Sequence, residues 1–144
     1  MTADSGLPEA SEAFAAHFTD PIYNDPADEF APFGTNEGWS LLNEWAERRD
    51  ELDSDTTVAD LIRESGFTES NLDAETRPEI PNPGGSVDAA TIVVSAGFTL
   101  LRLTGDIDEV GLRQTLAALN VLIGYYGSPE QLLIQRSDLE SWTP

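Results

Sequence analysis

Four carboxylates fall within a stretch that is otherwise rich in proline and aromatic residues: Asp25, Asp28, Glu29 and Glu37 flank Tyr23, Phe30, Phe33 and Trp39. Oxygens this close in sequence can converge on a hard cation such as Ca²⁺ or Mg²⁺, or on a small polar ligand. The same residues also have a purely architectural reading. Asp28 and Glu29 would accept backbone N–H bonds inside the loop, Glu37 would favour a helix N-terminus, and the aromatics would enter the core. The chain carries 27 acidic residues, so some close carboxylate pair is inevitable. A pair suited to hydrolysis is therefore not a specific signal, and the architectural reading carries more weight.

Other constellations are weaker. Asp53, Asp55, Thr57 and Glu64 match positions 1, 3, 5 and 12 of an EF-hand loop. Position 6 is Val58 where the loop's sharp turn needs glycine, so Ser54 or Thr56 as a helix cap explains these residues better. His17 is the single histidine and sits between Phe14 and Phe18, which predicts a partly buried structural imidazole. A Ser-His-Asp triad would need a nucleophile on a strained turn, and no G-x-S-x-G is present. Asp106, Asp108 and Glu109 read as the acidic start of a helix, with Asp106 and Glu109 forming a capping box. No phosphate-binding glycine loop occurs and cysteine is absent, so nucleotide binding by those loops, disulfides and thiolate chemistry are all unsupported. No catalytic motif and no cofactor follow from the sequence.

The charge balance is extreme. Seven arginines and no lysine face the 27 acids, a formal net charge of −20. Neutralising phosphates or anionic lipid needs the opposite sign, so nucleic acid and membrane surfaces are poor partners. The composition resembles that of halophilic archaeal proteins: at molar salt the Debye length falls to about 3 Å, and dense carboxylates stop repelling over distance. The remaining arginines are then expected to form bidentate pairs with the acids. Met1 to Pro8 lacks a basic and an apolar export region, and Val87 to Leu103 is too short and polar to span a bilayer, so a cytoplasmic location is expected.

The periodicity that must position these groups is helical. Apolar spacing predicts a first helix over Pro8–Phe18 and a second capped at Thr35 or Asn36, which turns Leu41, Leu42 and Trp45 inward. A third over Thr57–Ser65 carries Val58, Leu61 and Ile62, with Gly66 closing it. A connector spans Arg77–Gly85, where three prolines and two glycines oppose helix. Ser86 then caps a surrounded helix through Thr104, ended by Gly105, and its neighbour carries the stripe Leu112, Leu116, Leu119, Ile123 and Tyr126 to Gly127. The tight link at Gly105 makes the pair antiparallel. A last helix opens at Ser128 with Pro129 in its first turn, docked by Leu132, Leu133 and Leu139. The result is an all-α single domain, residues 1–144, of about five helices.

Between the first two helices, Thr19–Gly34 is long for a connection and is expected to be ordered, because Tyr23, Phe30 and Phe33 each bury a large apolar area. The run Asp28-Glu29-Phe30-Ala31-Pro32-Phe33-Gly34, followed by Asn36, Glu37, Gly38, Leu42 and Trp45, resembles the signature of the uncharacterised YfeS-like bacterial proteins. The match is dense over about twenty residues and loose elsewhere, and Ser40 stands where the pattern has an acidic residue. The resemblance implies a family and no activity.

The reading adopted is a non-enzymatic protein-interaction module adapted to high salt, with an unidentified protein partner and room for a homodimer through the surrounded helix. The alternative is a protein that binds a divalent cation or small ligand, extending to a hydrolase, through loop 23–39. In either case the contacts would come from Asp28, Glu29, Phe30, Phe33, Asn36, Glu37 and Trp39. A contiguous exposed Tyr23, Phe33 and Trp39 favours the first; a hollow lined by Asp28, Glu29 and Glu37 favours the second.

Overall fold

Six α-helices and two 3₁₀ turns, with no strand, make up the described residues of a computed structural model: 8–25, 27–53, 55–64 and 83–142, with side chains described from residue 90 onward in the last stretch. They are α1 (Glu12–His17), a 3₁₀ turn at Pro21–Asn24, α2 (Asn36–Glu47), a 3₁₀ turn at Arg49–Glu51, α3 (Val58–Glu64), α4 (Pro83–Thr104), α5 (Glu109–Tyr126) and α6 (Glu130–Glu140). The expected all-α class holds.

The centre of the molecule is α4, which packs against α1, α2, α3 and α5, while α6 packs on α5. Its residues from Val93 to Leu103 are all buried, so the surrounded helix expected from its sequence is present. It begins earlier than expected, at Pro83 and not at Ser86. A proline in the first helical turn loses no hydrogen bond, because those N–H groups have no partner inside the helix anyway. The rest of the expected connector, residues 77–82, lies outside the described residues, as do Ser54 and Gly66. Gly105 ends the helix with φ +79°, and the chain turns back. Gly97 and Thr115, eight residues before and ten after that turn, meet so closely that a Cβ on Gly97 would lie 2.3 Å from Thr115 Oγ1. Contacts at nearly equal distances on the two sides of a turn are those of an antiparallel pair.

Small residues at this crossing turn α5 so that only Leu119 and Ile123 of its expected stripe are fully buried. Gly111, Thr115, Ala118, Leu119, Leu122 and Ile123 are buried, while Leu112 and Leu116 are half-buried and Tyr126 is exposed. Close approach favours glycine and threonine over leucine at the contact, so Gly111 and Thr115 are buried in place of Leu112 and Leu116, while Leu119 and Ile123 are buried as expected. The N-cap of α5 is Asp108 and not Asp106: Asp108 Oδ2 accepts from Gly111 N at 2.8 Å. Its Oδ1 accepts from Val58 N at 2.9 Å, so one carboxylate serves the first turns of both α5 and α3. Helix α3 is capped by Thr57 in place of Ser54 or Thr56, through reciprocal bonds between Asp60 N and Thr57 Oγ1 and between Thr57 N and Asp60 Oδ2, each 3.0 Å. Asp53 spends its Oδ1 on Asp55 N and Thr56 Oγ1, a local turn and not a cation loop.

At the ends, α1 is capped by Ser11, whose hydroxyl accepts from Phe14 N, and so starts at Glu12, four residues beyond the expected start. Helix α2 is capped by Thr35 as expected. Helix α6 starts after Pro129, and Ser128 takes φ +63°, a left-handed conformation unsuited to the cap expected of it.

An aromatic layer joins α1, α4 and the loop. Phe14 stacks on Phe18 at 4.7 Å between ring centroids, and Phe18 meets Phe98 at 5.7 Å and Trp142 at 5.7 Å. Each such ring buries enough apolar surface to stabilise the fold by roughly 1.5–3 kcal/mol. Beneath this layer Arg102 is buried with no carboxylate partner among the described residues. It donates to Pro8 O at 2.9 and 2.6 Å, to Tyr23 O at 2.8 Å and to Asn24 Oδ1 at 3.0 Å. Its guanidinium lies 5.2 Å from the Phe33 ring centroid. Burial, then the neighbouring charge of Arg49, lowers its pKa to about 10. Arg48, by contrast, follows the expected pairing: it holds Glu51 bidentately and also reaches Glu44 and Glu64, over the Trp45 ring.

Candidate functional site

The loop from Asp28 to Gly34 folds on itself before it meets any helix. Asp28 Oδ1 accepts from Phe30 N at 2.9 Å, Ala31 N donates to Asp28 O at 3.0 Å, and Gly34 N donates to Ala31 O at 3.2 Å. The turn is tight enough that a Cβ on Gly34 would lie 1.9 Å from Asp28 O, and one on Gly38 1.9 Å from Pro32 O. Only glycine permits these backbone approaches.

Helix α6 then straps the loop to the body. Gln131 Nε2 donates to Asp28 Oδ2 at 3.1 Å, and Gln135, one turn on, gives its Nε2 to Phe30 O. Asp138, a further turn along, accepts from the Tyr23 hydroxyl at 2.7 Å. The spacing i, i+4, i+7 places all three on one face of α6, beside the buried Leu132 and Leu139. That polar stripe is the signal the sequence reading missed.

The strap encloses a pocket of about 180 Å³ between the loop, the first turn of α2, and helices α4, α5 and α6. Glu29, Thr35 and Glu37 supply polar lining from the loop and the start of α2; Thr91, Ser95 and Gln135 do so from α4 and α6. Phe30, Val94, Leu122, Tyr126 and Leu132 supply the apolar lining, with the Phe30 and Tyr126 rings edge to face at 5.1 Å. Gln135 is only 1% exposed, and its Oε1 has no hydrogen-bond partner among the described residues. A buried acceptor left without a donor costs about 1–3 kcal/mol. A more open hollow of about 310 Å³, bordered by Arg49, Asp53 and Asp106, holds no such atom among the described residues.

The expected site residues divide. Glu29, Phe30 and Glu37 reach the pocket. Asp28 does not: both its oxygens are engaged in bracing the loop. Asp25 likewise accepts from Ala27 N at 2.9 Å. Phe33 is wholly buried against Phe14 and the Arg102 guanidinium, and Tyr23 is wholly buried too, so neither presents a surface to a ligand or partner. Asn36 and Trp39 are exposed on α2, away from the pocket lining. Among the described residues no three histidine or acidic side chains are placed to share a metal ion.

A serine, histidine and aspartate do meet at the end of α6. His17 Nε2 lies 2.7 Å from Asp138 O and 3.1 Å from Ser141 Oγ. A carbonyl oxygen only accepts, so Nε2 is the protonated nitrogen and has no lone pair with which to activate Ser141. The Asp138 carboxylate faces Tyr23, whose phenol it holds, together with burial, far above the ordinary range; burial is the larger cause. This group ties α1 to α6 and is not a triad.

Set against protein-family models, curated proteins and solved structures, the chain matches none. No helix among the described residues is long and apolar enough to cross a membrane.

Proposed function

We propose that the protein binds a small organic ligand in the pocket beneath the Asp28–Gly34 loop. One observation carries the reading: Gln135, which lines a hollow with the space of about six water molecules, is buried and its Oε1 has no donor among the described residues. The lining is about evenly polar and apolar, so it suits a ligand that joins an apolar body to polar groups. The acids of the loop contribute by rim charge and not by chelation. The YfeS-like resemblance and the adaptation to concentrated salt belong to the same proposal.

Occupancy is the test. A panel of single-ring probes, cationic, neutral and anionic, is titrated against the full chain while its thermal midpoint is followed. At a probe concentration ten times its Kd, binding to the native state adds roughly 1.4 kcal/mol. The gain is expected to vanish in Ser95→Leu, which fills the pocket from α4. No midpoint shift with any probe removes the reading.

A second reading, the interaction module, is favoured by the exposure of Trp39, Tyr125 and Tyr126. A protein partner, or a second copy of the chain, would meet those rings. Sedimentation in concentrated KCl tests the homodimer, and a monomer mass removes it.

A further inference from the structure

Resting on the pocket reading, we propose that the ligand is a small organic ammonium ion: a primary amine on a compact apolar body, its head against Gln135 Oε1 and the Glu29 and Glu37 carboxylates. Three features of the lining select this class. Among the described residues arginine, lysine and histidine are all missing from it, so an anion would enter against two carboxylates with no described cation to neutralise it. The unsatisfied group is an acceptor and the rim groups are acceptors, so the ligand must bring donors, and an ammonium brings three. The rest of the lining, the edge-to-face rings of Phe30 and Tyr126 with Val94, Leu122 and Leu132, suits an apolar body and attracts a cation. A neutral ligand could satisfy Gln135 but would gain little from Glu29 and Glu37. Among the described residues a bare metal ion lacks the clustered ligands it would need.

The surrounding negative charge attracts any cation, so the experiment must separate the site from the field. Calorimetric titration of the full chain in roughly 2 M KCl, where long-range attraction is screened, compares benzylamine as its ammonium, the near-isosteric neutral benzyl alcohol, and benzoate. Benzylammonium is expected to bind saturably, about tenfold or more tighter than benzyl alcohol, with no heat from benzoate. Gln135→Leu leaves the net charge unchanged and is expected to weaken benzylammonium about tenfold. That variant also releases Phe30 O and can lose its fold. Glu37→Gln, on the surface of α2, supplies an independent arm and is expected to weaken benzylammonium several-fold while leaving benzyl alcohol unaffected.

Equal affinity for benzylammonium and benzyl alcohol overturns the amine proposal and leaves the pocket reading standing. Unchanged benzylammonium affinity in a folded Gln135→Leu or in Glu37→Gln also overturns it, because the attraction then belongs to the whole surface. Failure of all three probes to bind overturns both.

Discussion

Replacing Arg102 tests how the N-terminal segment, the loop and α4 are held together. In Arg102→Met the stem still fills its space, but the donors to Pro8 O, Tyr23 O and Asn24 Oδ1 are lost. Asn24 is exposed and water replaces its bond, whereas the two carbonyls are sheltered and cost about 1–3 kcal/mol each when left without a donor. Against that loss stands the relief of a buried charge. The drop of the guanidinium pKa from 12.5 to about 10 corresponds to about 3 kcal/mol at about 1.4 kcal/mol per unit. The balance for Arg102→Met is a net loss of about 2 kcal/mol after the cation–π contact with Phe33 is included. Arg102→Lys keeps the charge buried, in a more strongly hydrated head that reaches fewer acceptors, and is expected to cost about 4 kcal/mol. Urea unfolding followed by far-UV circular dichroism, at one fixed KCl concentration, measures both. A lysine variant as stable as the wild type, or more stable than the methionine variant, would refute the reasoning, since it would mean that charge and not the forked geometry holds the segment.

Gly34→Ala drives a Cβ onto Asp28 O and is expected to cost about 2–3 kcal/mol; Gly124→Ala, in an exposed helical position with open space around it, is expected to add about 0.5–1 kcal/mol, and chemical denaturation of the pair checks both signs. Tyr23→Phe is expected to cost about 1–2 kcal/mol near neutrality by leaving Asp138 without its phenol partner. Because the folded phenol keeps its proton well above the ordinary value of 10.0, the tyrosine's advantage is full below that pH. Above it, the unfolded chain alone ionises, so the stability difference between wild type and Tyr23→Phe is expected to shrink by about 1.4 kcal/mol per pH unit; parallel curves would count against the buried bond. With a net charge of −20, the thermal midpoint is expected to rise from dilute buffer to molar KCl as self-repulsion is screened, and a midpoint indifferent to salt would contradict the adaptation.

Where large apolar residues alone decide burial, the sequence is a faithful guide. Leu41, Leu42 and Trp45 on α2, and Val58, Leu61 and Ile62 on α3, are buried as their spacing indicates. Tyr23 and Phe33 pin the long loop by the area they bury, and for the same reason they are unavailable as contacts. The reading slips where small residues take the interior, as at Gly111 and Thr115, because a close helix crossing excludes leucine. It slips again where a polar group finds a distant partner. Asp108 caps α3 across fifty residues, and Gln131 and Gln135 reach the loop across more than a hundred. Glutamines on a helix ordinarily read as solvated surface, and nothing in their neighbourhood in sequence reveals the carbonyl or carboxylate they meet. Two of the loop acids, Glu29 and Glu37, were visible as candidates; Gln135, the residue that makes the pocket informative, was not.

Whether the pocket takes a ligand is most directly read from the side-chain amide of Gln135. Nuclear magnetic resonance of the full chain in concentrated KCl resolves that amide and the backbone N–H of Phe30 during a benzylammonium titration. Both signals are expected to move together along one saturable curve, with residues around Arg49 and Asp106 unmoved. Shifts that grow without saturation, or that appear on the acidic surface while Gln135 stays still, would contradict the account.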